Sequence, residues 1–179
     1  MKHLFLDLET LDLRPSAAIT EIGAVAFDPA TFSHTDILEL FVAPLDQVSR
    51  GRTIDPGTVE WHRSKGHTID MDKGITLPAA MDRLAAFVAL HKPDRVWIWG
   101  ADFDRPILED ICRMLGRESL WEYHATLDAR TIWSLAFPNT RRPSRTHTAL
   151  DDCLCAISDL KAALSHLSLN LTPMESSHV

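Results

Sequence analysis

Lys2-His3-Leu4-Phe5-Leu6-Asp7-Leu8-Glu9-Thr10-Leu11 (KHLFLDLETL) reads as one short strand. Successive strand side chains point to opposite sides, so Leu4, Leu6 and Leu8 share one face and Phe5, Asp7 and Glu9 the other. Burying an unpaired carboxylate is costly, yet two carboxylates stand here at i and i+2 and project in the same direction. Two like charges held together call for a compensating cation, and a divalent metal is the simplest one. The expectation is a chain that folds to bring further acids to this pair.

Outward from this strand, a loop over Asp12–Ser16 precedes Ile19–Phe27 (ITEIGAVAF), rich in β-branched and apolar residues and expected as a second strand. Asp28-Pro29 turns the chain into a third strand over Ile37–Val42, so that the three form an antiparallel meander ended by Pro44. From Val48 to Ile75 the glycines and Pro56 punctuate a mixed stretch with one short helix over Thr58–Ser64. Leu77–Leu90 is amphipathic, with Met81, Leu84, Ala85 and Val88 on its apolar side. Val96–Trp99 (VWIW) is wholly apolar, as a central strand covered on both faces would be. A helix follows Gly100, with Pro106 in its first turn and Gly116 at its end. A fifth strand is expected over Tyr123–Leu127 and a helix over Asp128–Phe137 with the aspartate as its N-cap. The last element, Thr148–Leu167, is a long helix with Leu150, Leu154, Ile157, Leu164 and Leu167 along one stripe. Residues 168–179 read as a disordered tail and residues 1–167 as one domain. The pattern is an α/β domain with a mixed sheet flanked by helices.

At 179 residues, with 45% hydrophobic and 24% charged residues, the chain can bury a full core. It has no apolar run of bilayer length and no cleavable signal pattern, which makes the cytoplasm the expected location and excludes a membrane partner. Cys112, Cys153 and Cys155 are odd in number and lack finger spacing, so reduced structural thiols are expected. A net charge of −7 argues against a protein that coats nucleic acid nonspecifically. It leaves room for an enzyme on nucleic acid, whose metal-holding acids make the sum negative. The basic run Arg141, Arg142 and Arg145, taken alone, is a solvated loop.

Two further places bring acids. Asp102 and Asp104 lie where the VWIW strand ends and a helix begins, the position at which open α/β sheets gather ligands; either could equally cap the helix. In HTALDDCLCA (His147–Ala156), His147 and Asp151 share a face on ideal helical geometry, with Asp152 displaced by roughly 140°. Pro143 and Ser144 nearby place His147 at the helix entry instead, which removes that constraint. Ala149, Ala156 and Ala163 form a line of small residues along which a helix can approach a sheet, and Asp152 falls beside that line. Asp152 is therefore the expected buried acid and Asp151 the open one.

The order DLET, TEIGAV, WGADFD and HTALDD, running from Lys2 to about Ala163, resembles the DEDDh branch of the 3′–5′ exonucleases, and the WG-x-x-FD form is most similar to the phage-type enzymes. The resemblance implies a ribonuclease H-like fold and places the functional acids at Asp7, Glu9, Asp104 and Asp152, with His147 as the motif histidine. Four carboxylates without a thiolate suit Mg²⁺ or Mn²⁺. Two such ions can clamp the attacking water and leaving oxygen of a phosphodiester, with Asp7 bridging both, Glu9 and Asp152 on one, and Asp104 on the other through water. His147, which titrates near neutrality, suits a general base.

For substrate contacts, the resemblance implicates the backbone of Thr10 and Leu11. Phe103 and Trp61 are candidates to stack on bases, each with a packing role as the alternative, and Arg145, with Arg141 and Arg142, is a candidate phosphate contact. The implied activity is removal of nucleoside 5′-monophosphates from a nucleic acid 3′ end, with single-stranded DNA favoured over RNA. A non-catalytic nucleic-acid binding module and a ribonuclease H-type endonuclease are the competing readings. A homo-oligomer is left open.

Overall fold

The structure is a computed structural model and describes residues 1–140 and 147–171. Among these residues, one five-stranded sheet has the order β3-β2-β1-β4-β5. Its strands are β1 (His3–Thr10), β2 (Ile19–Phe27), β3 (His34–Phe41), β4 (Arg95–Ile98) and β5 (Thr126–Asp128). β1, β2 and β3 form the expected antiparallel meander, whereas β4 pairs parallel with both β1 and β5. The mixed sheet follows from connection length: short links return antiparallel, and the crossovers through helices return parallel.

β1 is central and buried over all eight residues. Leu4, Leu6 and Leu8, with Ile22 and Ala24, pack against α3 (Leu77–His91) and α4 (Asp104–Met114). On the other face Phe5, Val25, Phe27 and Trp97 pack against α5 (Ala129–Ala136) and α6 (Ala149–His166). Asp7 and Glu9 therefore lie on the α6 side of the sheet, beyond Phe5.

Several boundaries differ from the sequence expectation. The third strand begins three residues earlier than Ile37, because its exposed start is held by pairing to β2 rather than by apolar content. A short helix, α1 (Pro44–Val48), occupies a stretch expected as strand end and loop; Pro44 supplies its first turn, and the wholly buried Gln47 bonds the backbone of Ile19. α2 (Pro56–Ser64) starts two residues before Thr58, since Asp55 caps it by accepting the Thr58 N–H at 2.7 Å. Tyr123–Ala125 is a 3-10 turn, which delays β5 to Thr126. Ser168–Leu171 fold back, with the Leu169 N–H donating to Leu164 O and Leu171 packing on the core. Residues 172–179 of the expected tail lie outside the described residues.

Candidate active site

Four elements deliver acids to the C-terminal end of β1. Asp7 and Glu9 arrive on β1 itself, 7% and 9% exposed. Opposite them on β2 stand Gly23, paired with Asp7, and Glu21, paired with Glu9. Gly23 matters by what it lacks: a Cβ there would lie 2.4 Å from Ala149 C and O. The first turn of α6 thus rests directly on the β2 backbone, and Asp152, in that turn, is buried at 2% exposure. From the other layer α4 brings Asp104, 3% exposed, whose carboxylate accepts the Leu8 N–H at 3.1 Å. Asp104 is therefore bonded to the residue that separates the two β1 acids.

Each pair of candidate acids has one buried and one exposed member. Ala149, Ala156 and Ala163 are all fully buried, and Asp152 is buried beside them. Asp151 is exposed and accepts the Thr148 hydroxyl at 3.0 Å. Asp102 is exposed and ion-paired with Arg130 at 2.8 Å, and the N-cap position of α4 falls to Phe103.

His147 stands just before α6 with φ +57°, a backbone conformation uncommon outside glycine. It is half-buried, and it, Glu9 and Asp152 each offer a ligand atom, all within 4.8 Å of one another. Carboxylate oxygens with one imidazole fit a divalent cation. Burial lowers the His147 pKa below the usual imidazole range, with Asp152 opposing the shift and His67, Lys65 and His62 adding to it; the neutral, proton-accepting form is favoured. Its ring is enclosed by aromatics: Trp61 packs edge-on at 4.8 Å between centroids and His67 at 6.1 Å.

α2 is tied to β1 where His62 Nε2 bonds the Thr10 carbonyl at 2.8 Å. Between them lies a cavity of about 460 Å³ lined by Leu8, Glu9, Thr10, Trp61, His62 and Phe103, among others, within the size range of small-ligand pockets. Thr10, Phe103 and Trp61 thus share one cavity with Glu9. Phe103 also packs on the main core, as its packing alternative expects. Leu11 is placed differently: it is wholly buried, its N–H is given to Ala18 O, and it lines a smaller cavity of about 70 Å³ with Glu9, Glu21, His62, His67 and His147. Arg141, Arg142 and Arg145 lie outside the described residues. Sequence reasoning gave no role to Glu21, Gly23, His62 or His67, although the first two stand in the TEIGAV motif.

The three cysteines are thiols outside any disulfide, with Cys112 and Cys153 buried and Cys155 exposed. Among the described residues no helix is long and apolar enough to cross a membrane.

Comparison with known proteins agrees with this geometry. No curated protein sequence matches the chain. Among solved structures, Exonuclease I of E. coli in complex with a dA16 oligonucleotide superposes with TM-score 0.73 at 16% identity, covering 93% of this chain and 41% of that one. The nuclease domain of 3′hExo, a DEDDh family member bound to rAMP, superposes with TM-score 0.66 at 15% identity, covering 96% of each. An apo Exonuclease I gives TM-score 0.71 at 16% identity, and this chain spans 42% of its length. At such identities the likeness establishes the fold, which is ribonuclease H-like. A family model described as a 3′-5′ exoribonuclease Rv2179c-like domain matches residues 2–163. The chain belongs to that Rv2179c-like 3′-5′ exoribonuclease domain family.

Proposed function

We propose that the chain shortens single-stranded RNA from its 3′ end, releasing nucleoside 5′-monophosphates. The observation that carries this reading is the convergence of Glu9, Asp152 and His147 beside a cavity that Glu9 lines with Phe103 and Trp61. Asp7 stands on the same strand face as Glu9, and Asp104 is bonded to Leu8 between the two strand acids. The exoribonuclease description of the family moves the reading from DNA, favoured by the sequence motifs, to RNA. DNA is the second reading, favoured by the Exonuclease I complex with dA16.

In this reading the terminal nucleotide enters the cavity of about 460 Å³ and its base packs against Phe103 and Trp61. Stacking on aromatic rings accepts either sugar. Asp7, Glu9, Asp104 and Asp152 would hold two Mg²⁺ or Mn²⁺ ions, which supply positive charge to the phosphodiester and the attacking water. Neutral His147 takes the proton of that water as its oxygen attacks phosphorus, and Glu9 orients it. The P–O3′ bond breaks as the leaving 3′ oxygen takes a proton from solvent water, leaving a shortened strand with a 3′-hydroxyl, and His147 returns its proton to solvent.

The test uses RNA and DNA oligonucleotides of one sequence, labelled at the 5′ end, with Mg²⁺, Mn²⁺ or EDTA. Stepwise shortening from the 3′ end that is faster on RNA and lost in EDTA is expected. Faster shortening of DNA would restore the second reading, and no metal-dependent shortening of either would overturn both.

A further inference from the structure

α6 begins without help from its own N-cap. Thr148 makes no side-chain bond to the helix backbone, and its hydroxyl donates to Asp151 instead. The first N–H groups of a helix need acceptors from elsewhere, and Ala149 N–H finds one across the fold: Glu21 Oε2 on β2 accepts it at 3.1 Å. Two residues along the same strand face, Gly23 lets the Ala149 backbone touch the sheet, and its carbonyl accepts from the Cys153 thiol at 3.4 Å. The start of α6 is therefore held from three directions by two residues of β2. Glu21 also lies directly opposite Glu9. Like charges across an antiparallel pair repel, and the positive end of α6 offsets that repulsion.

We propose that Glu21 is a positioning residue of the exonuclease site, its carboxylate fixing the first turn of α6 and so the places of Asp152 and His147. The proposal rests on the reading that Asp152 and His147 serve cleavage. What it requires of Glu21 is reach and a hydrogen-bond acceptor, whereas its charge is secondary. Two conservative variants separate these. Glu21→Asp keeps the charge and shortens the arm by about 1.5 Å, one carbon–carbon bond. Glu21→Gln keeps the reach and an acceptor oxygen and removes the charge.

The experiment measures steady-state kinetics on a single-stranded oligoribonucleotide and binding of Mn²⁺ alone by calorimetry, with thermal melts to confirm folding. Small misplacements of reacting groups are costly, so Glu21→Asp is expected to lower kcat roughly 10- to 100-fold with KM little changed. Mn²⁺ binding should weaken in parallel, because Asp152 and Glu9 no longer meet at their native spacing. Glu21→Gln should restore kcat to within about threefold and restore Mn²⁺ binding, consistent with an acceptor rather than a charge. Parent-like kcat in Glu21→Asp, or a Glu21→Gln variant as impaired as Glu21→Asp, overturns the proposal. Asp152→Asn run alongside keeps the two readings apart. If it is inactive while Glu21→Asp is unimpaired, only the positioning role fails; if it is fully active, the assignment of the site itself fails.

Discussion

Asp151 and Asp152 are neighbours in sequence, yet the first is exposed and bonded to the Thr148 hydroxyl, while the second is buried and within ligand distance of Glu9 and His147. Replacing Asp152 with Asn removes a charge from the centre of the acid cluster, and kcat should fall by roughly 10²- to 10³-fold or more. Asp151→Asn alters one exposed contact and should leave kcat within about twofold. Steady-state kinetics on a labelled oligonucleotide check both, and the reverse result would mean that α6 presents its other acid. His147 is close enough to Glu9 and Asp152 to be either a base or a ligand. As a base, its loss in His147→Ala lowers kcat by roughly 10²- to 10⁴-fold and leaves Mn²⁺ binding, read by calorimetry, nearly unchanged. Joint loss of rate and Mn²⁺ affinity would make it a ligand.

At the scale of elements, α2 is the piece that joins the cavity of about 460 Å³ to His147. Its N-cap Asp55 donates its own N–H to Leu11 O, His62 bonds Thr10 O, and the Trp61 ring meets both the cavity and His147. Phe103, at the start of α4, lines the same cavity without a ring contact to His147. Base–aromatic stacking contributes about 1–3 kcal/mol, so Phe103→Ala should raise KM by roughly 5- to 150-fold and spare kcat. Trp61→Ala should raise KM and lower kcat together, because the same ring also packs on the base. Equal effects from the two variants would remove Trp61 from the orientation of His147. The strands and the burial of Asp152 were legible because strand alternation and the alanine line of α6 state burial in one dimension. α1 was hidden because five residues carry too little periodicity, and its buried Gln47 has its partner at Ile19, far along the chain. Glu21 and Gly23 escaped because their roles exist only once α6 has crossed β2.

On the scale of the whole molecule the sheet has one end that carries the acid cluster and another remote from it. At the remote end His3 is 2% exposed, and its Nδ1 accepts the Trp97 indole N–H at 3.0 Å. Its Nε2 is buried without a partner among the described residues. Burial is the largest influence on its pKa, which is lowered to about 4, with Asp94 partly opposing and Arg95 adding to the shift. An imidazole that accepts a hydrogen bond at Nδ1 is neutral there, and charging it in place would break that bond. Between pH of about 6.5 and 4 the unfolded chain binds a proton at His3 that the folded chain refuses. Stability therefore rises with pH across that window, is complete above it, and falls as pH drops through it. At pH 5 the loss from this one group is about 2 kcal/mol, which for a chain of this size is ~4–8 °C in Tm. Because other groups titrate in the same range, the measurement is a difference: thermal melts of parent and His3→Gln at pH 7.5 and pH 5. Gln can still accept the Trp97 N–H but carries no titrating ring, so its Tm should fall less between the two pH values, by about that margin. Equal falls would show that His3 is charged in the folded protein or free to titrate, and would remove it as the source of acid sensitivity at the end of the sheet remote from the acids.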